Sequence, residues 1–279
     1  MKLDSLRLYP HPNIRMRALL IVYTLLIVSL TISPLTAQVI QAPHIAASPI
    51  NQRRAYGNGC GPASLLNAFQ SGSDKWRKVF NAIPGKDSRT RIRYVVAKWG
   101  KVPSKHTKGQ QRWNVQQGIN LLDLTDIGNE MRSPYFLPTL KYDVMTQRPK
   151  ESRSALLNRI HARFAKSFKK GLPPTISIRR YAYRYHPQVG QKSWWPIRAH
   201  FVVITEIPAK IPRDATSFTV KYIDPFGGFK RQGTIRTDTG AFSNCPFVQA
   251  DFPTASVGKK FIKSGEKNIL TLSAILGAW

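Results

Sequence analysis

The chain has 279 residues with 43 Lys and Arg against 14 Asp and Glu, a net charge of +29. It carries two cysteines without metal-ligand spacing, no His-Glu-x-x-His and no internal repeat, which excludes the common zinc motifs and solenoid architectures. The charge favours anionic partners and speeds encounter without specifying a reaction; because it is spread over "RTRIR", "KKG", "IRRYAYR" and "GKKFIKSGEK", an ordinary solvated basic surface explains it as well as a dedicated site does.

Residues 1–37 read as a signal peptide. Lys2, Arg7, Arg15 and Arg17 form a basic leader, "ALLIVYTLLIVSLTI" is apolar, and "SPLTA" ends in a small residue, so cleavage is expected after Ala37. The apolar run is shorter than the ~18 residues of a spanning helix. The expected location is therefore outside the cytoplasm, secreted or periplasmic, with envelope association left open. Residues 38–50, "QVIQAPHIAASPI", read as a tether, and 51–279 as one domain without an internal linker.

The stretch "AYGNGCGPASLLNAF" (55–69) opens that domain. Its glycines do not fit a dinucleotide loop, since the sixth place is Pro62, and it lacks the Gly-Lys-Ser/Thr of a phosphate loop. Pro62 suits the first turn of a helix, and Leu65, Leu66 and Phe69 fall on one helical stripe, which predicts a helix from about Gly61. Cys60 then lies at a helix N-terminus, where free amides and the macrodipole stabilise a thiolate. Its own backbone amide can serve an oxyanion.

Between 75 and 165 the sequence predicts helices: "DSRTRIRYVVAKWG" with Asp87 or Ser88 as cap and Gly100 as stop, "QQGINLLDLTDIGNEM", and the basic amphipathic "ALLNRIHARFAKSF". Tyr181, Tyr183 and Tyr185 alternate as one face of a strand. With Trp76, Trp99 and Trp113 they could instead form a nucleic-acid stacking platform, which is the less simple reading.

A thiolate needs a base, and the base an orienting group. His11 lies in the leader, His44 in the tether, His106 in a polar loop, His161 on a basic helix, and His186 in a loop before a proline. His200 opens the β-branched run "HFVVITEI". A second strand, "FTVKYI", ends in the turn signal "DPFGG". Antiparallel pairing of 201–207 with 218–223 puts position 200 opposite 224 or 225, so Asp224 falls beside His200.

Taken together, "NGCGPASLLNAF", "LPPTISIRR", "HFVVITEI" and "YIDPFGG" resemble the papain-like cysteine peptidase superfamily over residues 50 to 230, closest to the bacteriocin-processing, double-glycine-leader branch. The resemblance implies an α+β fold, with a helical lobe carrying Cys60 and a twisted antiparallel sheet carrying His200 and Asp224. Cys60 would be the nucleophile, His200 the general base and later acid, and Asp224 the orienting carboxylate. The substrate would be a peptide or protein, with amide or ester acyl transfer open to the same triad. No metal and no cofactor is implied. Gln52 lies eight residues before Cys60, farther than the family's usual oxyanion glutamine, and Asn58 is the nearer amide; both are oxyanion candidates. The 140 positions from Cys60 to His200 exceed the family's usual run, so an enlarged helical region is expected over 75–165. An anionic envelope polymer or lipid surface is a further candidate partner; nucleic acid is disfavoured and the oligomeric state is open. The alternative is a noncatalytic cationic module with Cys60 and Cys245 disulfide-bonded.

Overall fold

A computed structural model describes residues 38–188, 190–237, 245–253, 255 and 257–279 of the protein; the expected leader lies outside them. Within the described residues the helices fall in the N-terminal two thirds and the long antiparallel strands in the C-terminal part.

Helix α1 spans Cys60–Ser71, α2 Asp74–Asn81, α3 Ser88–Val95 and α4 Leu121–Arg132. Pro62 sits in the first turn of α1, as its missing N–H permits. The stripe expected from Leu65, Leu66 and Phe69 is in fact the whole helix: ten of its twelve residues are buried. The reason is that α2, α3 and α4 pack around it together with Phe201, Val203 and Ile223 from the sheet. Its buried polar side chains are satisfied. Ser64 Oγ donates to the Phe201 carbonyl at 3.0 Å, and Asn67 accepts from the Ile50 amide at 2.7 Å and donates to its carbonyl at 3.2 Å.

Asp87 caps α3 in a capping box with Thr90, and the helix runs on through a π turn, Val96–Gly100, to the expected stop. The expected helix over 116–131 starts late. Gly118, at φ 80°, turns the chain into a hairpin of β2 (Trp113–Asn114) and β3 (Gly118–Ile119), and Asn120 then caps α4. Helix α5, Arg153–Lys169, is capped by Ser152 and buries Leu156, Leu157, Ile160 and Phe164 in a second core.

Six strands complete the C-terminal part: β5 Thr175–His186, β6 Gln191–Pro208, β7 Ser217–Asp224, β8 Phe229–Arg236, β9 Val248–Asp251 and β10 Asn268–Ala278. Their order is β6-β5-β10-β9-β8-β7, and β7 pairs back onto β6, which closes the antiparallel path. Strand β4, Leu140–Val144, adds to β10. Strand β1, Val39–Gln41, adds to β6.

Three expectations change here. The stretch read as a tether is built into the fold: β1 pairs with β6, and Ala42 and Ile50 are buried, because the β6 edge left open beyond the start of β5 at Thr175 is a ready partner. The strand expected over 201–207 begins ten residues earlier, so His200 lies within it and His186 ends β5 instead of lying in a loop. The stacking platform is not assembled, since Trp76 lies flat on Phe69 in the core and Trp113 is buried. No helix among the described residues is long and apolar enough to cross a membrane.

Leu66 is fully buried where α1 meets the surrounding helices. Leu66→Ala should cost about 2–5 kcal/mol through lost burial plus cavity, read as a lower urea midpoint with an unchanged slope.

Candidate active site

Gly59 is the N-cap of α1 and offers no side-chain cap, so the first-turn amides remain free to face a sulfur or a substrate. Gly61 serves close approach: a Cβ there would lie 2.3 Å from Ile119 Cγ2, so β3 and α4 press directly on the first turn. A Cβ at Gly57 would meet nothing within 4 Å, on the cleft side. The loop before Cys60 is bolted to the β2–β3 hairpin. Asn58 Nδ2 donates to the carbonyls of Val115 (2.7 Å) and Gln116 (2.8 Å), Trp113 Nε1 donates to the Asn58 carbonyl at 3.0 Å, and the Tyr56 ring packs on Trp113.

On the other wall, the β6–β7 ladder ends at Val203 opposite Ile223, and the N-terminus of α1 takes the edge vacated beyond it, where Ser64 Oγ holds Phe201. His200 Nε2 donates to Asp224 Oδ1 at 2.8 Å, and both residues are buried. The same oxygen accepts the Phe226 amide at 2.8 Å, so the turn after β7 locks the carboxylate. Sequence symmetry put 224 or 225 across from 200, but the strands pair in another register, with Glu206 across from Lys221 and, past an irregularity, Val203 across from Ile223. Continued from Val203 and Ile223, it sets Asp224 across from Val202, and the side chains meet on the diagonal, within reach of a long side chain.

With Nε2 engaged, Nδ1 is the nitrogen left for the hydrogen bond between His200 and Cys60. Burial pushes the Cys60 thiol up, but the hydrogen bond and charge of His200, with the amides of Phe201 and Gly61, outweigh it and hold the thiol below its ordinary value. Burial likewise opposes charge on His200, yet its bonds to Asp224 and Cys60 raise it to about 9. Both shifts favour a thiolate beside an imidazolium over the neutral pair.

The triad opens on a cleft of about 290 Å³ that Gln52, Asn58, Arg198, Phe226, Lys260 and Phe261 help to line. The two oxyanion candidates part company here. Asn58 spends both amide hydrogens on the hairpin and accepts from Arg198 through its oxygen, so it has none for a substrate. Gln52 gives one hydrogen to the Gly57 carbonyl at 2.6 Å, and its amide carries a second. Its backbone N–H bonds the Pro225 carbonyl at 2.9 Å, which ties it to the turn that locks Asp224. The hairpin that holds Asn58 was not singled out from the sequence; the turn at Asn114–Gly118, with Trp113 beside it, is the signal that points to it.

The remaining described histidines have other partners or places. His44 bonds Asp74, His106 bonds Asp126, His161 bonds the Pro208 carbonyl, and the His186 ring packs on Trp195. His106, Asp123 and Asp126 bring ligand atoms within 4.8 Å of one another, but Asp123 is buried and its oxygens already accept from Ser104 and Asn120. Those bonds make it a buttress at the start of α4. No disulfide joins Cys60 and Cys245; Cys245 is buried beside Tyr181 and Phe247 in a small separate core, so the disulfide of the alternative reading is not formed.

Alkylation reads the pair directly. Because the Cys60 thiol is held below its ordinary value and His200 is raised, iodoacetamide should label Cys60 rapidly at about pH 6 while buried Cys245 stays slow. The rate should fall as the pH is lowered and the thiolate takes a proton. His200→Ala removes the main lowering influence and leaves the burial, so the labelling profile should move to higher pH. No family model, no curated protein and no solved structure matches the chain, so what this site does is argued from its own geometry.

Proposed function

We propose that the protein is an exported cysteine peptidase of papain-like type that hydrolyses a peptide or amide bond through Cys60, His200 and Asp224. The observation that carries this reading is the hydrogen-bonded row from sulfur to imidazole to carboxylate, set at the uncapped N-terminus of a buried helix beside a cleft. The papain-like assignment rests on the sequence resemblance; mixed helices and antiparallel strands are compatible with it.

In this reading the Cys60 thiolate attacks the scissile carbonyl carbon, and the carbonyl oxygen takes up the negative charge. The Cys60 amide, without an intrahelical acceptor, and the second amide hydrogen of Gln52 stabilise that oxyanion. Imidazolium Nδ1 gives its proton to the leaving amine as the C–N bond breaks, which leaves a thioester. Water then attacks the thioester, neutral His200 takes the water's proton, and the thiolate departs. Asp224 holds the ring in one tautomer throughout. A noncatalytic module would need neither a thiolate at a cleft nor a locked carboxylate behind the histidine, and the absence of a disulfide between Cys60 and Cys245 removes the support it would give.

Export is proposed from the leader alone. Strand β1 starts at Val39, and the Gln38 carbonyl accepts a bond from the Ala209 amide at 2.7 Å. N-terminal sequencing of protein recovered from the producing cell should start at Gln38; an intact Met1 on membrane-bound material would instead make the segment an anchor.

Turnover should be measured on a mixed peptide library with mass-spectrometric readout. Cys60→Ala and His200→Ala should each lose on the order of 10⁶-fold, and Asp224→Asn about 10⁴-fold, because it removes orientation and not the nucleophile. Gln52→Ala should lower kcat by ~10²–10³-fold and leave alkylation of Cys60 nearly unchanged, since it serves the oxyanion and not the thiolate. The rate should also fall above about pH 9 as His200 loses the proton it must donate. Equal turnover by wild type and Cys60→Ala would end the peptidase reading.

A further inference from the structure

The cleft has a charge asymmetry that the peptidase reading does not require. Among the described residues, Asp224 is the only carboxylate lining it, and Asp224 is committed to His200 and the Phe226 amide. The charged side chains left to meet a substrate are Arg198 and Lys260, both exposed. Arg198 is held by Asn58 Oδ1, and Asn58 is in turn bolted to the β2–β3 hairpin, so the guanidinium is pre-oriented with donors to spare. Arg198 and His200 stand two apart on β6 in an unbroken register with Arg180 and Ile178 of β5, so they project to the same face.

Two residues of strand span about 6.6 Å, which is also two residues of an extended peptide. A group bound by Arg198 therefore belongs to a substrate residue close to the bond under attack. Lys260 lies across the mouth with its ammonium 5.1 Å from the ring centroid of Phe261, and Arg53 covers the Phe226 ring at 5.3 Å. The exposed rings offer apolar walls, and every uncommitted charge beside them is positive.

We propose that the cleft selects a peptide that carries a carboxylate one or two residues from the scissile bond, received by Arg198 and Lys260. The inference rests on the peptidase reading for the word scissile, but the carboxylate subsite stands on its own geometry. The carboxylate can come from an Asp or Glu side chain or from a free peptide C-terminus, since the recognising chemistry is the same.

The test pairs two measurements on the mature protein. In the first, internally quenched peptides with amidated C-termini carry Glu or Gln at each position flanking the cleaved bond, and a parallel set keeps a free C-terminus. The favoured Glu peptide should exceed its Gln twin by about tenfold in kcat/KM, the equivalent of one modest charge-assisted contact, and Arg198→Ala or Lys260→Ala should collapse that ratio toward one. A preference confined to the free-acid set would assign the subsite to the terminal carboxylate. The second measurement compares alkylation of Cys60 by iodoacetate and by iodoacetamide, which needs no turnover. The iodoacetate preference should drop in both variants and persist in Lys169→Ala, an exposed residue at the end of α5 that does not line the cleft. Lys260→Ala guards against disturbance of the Cys60 loop, because Lys260 makes no bond to it. Equal Glu and Gln rates, or an equal drop in Lys169→Ala, would overturn the subsite in favour of the general surface field. An iodoacetate preference that depends on Arg198 without turnover of any peptide would overturn the peptidase reading and leave the subsite.

Discussion

The hydrogen-bonded pair of Cys60, partly buried, and His200, buried, makes the demand that organises this molecule. Burial alone would drive Cys60 and His200 to their neutral forms. The charged pair is favoured because each partner meets fixed donors or acceptors: the amides of Gly61 and Phe201 at the sulfur, and Asp224 behind the ring. Remove the supporting shell, and the same two residues become an inert thiol and an ordinary histidine.

That shell explains features that would otherwise look unrelated. Helix α1 is buried along nearly its whole length, which fixes where its N-terminus points. Ser64 and Asn67 fasten its flank to β6 and to the chain at Ile50, and the break in the β6–β7 ladder leaves the edge that the helix end occupies. Gly61 is small because β3 and α4 crowd the first turn, and the hairpin carrying Trp113 grips the loop just before it. Asp224 and Gln52 are joined through the turn after β7, so one turn holds both the orienting carboxylate and the candidate oxyanion donor. Positioning comes from rigid elements on both sides, as a preorganised site requires.

Net charge plays a separate part. A basic body attracts any anion at long range, weakly and in a salt-dependent way. A carboxylate subsite would add a short-range, directional contact through Arg198, fixed by Asn58, and only that contact can select one peptide over another.

Much of the site was legible in the sequence because its signals are local. Pro62 behind a glycine-rich turn marked the start of α1, Asp87 or Ser88 marked the cap of α3, and "HFVVITEI" and "FTVKYI" marked the two strands whose ends meet, so the chain by itself determined that Cys60, His200 and Asp224 could come together within an α+β arrangement. It did not determine what depends on pairing at a distance. The β1 strand hid in a stretch rich in proline and alanine, since an edge strand of three residues takes its stability from β6 and not from its own pattern. The role of Asn58 was equally hidden: an amide before the cysteine reads as an oxyanion donor until Val115 and Gln116, nearly sixty residues on, take both its hydrogens. Hydrogen-bond capacity is set by residue type, but its use is decided by whichever partner the tertiary fold brings within 3 Å, and that choice, with the strand register that sets His200 and Asp224 on a diagonal, belongs to the folded structure alone.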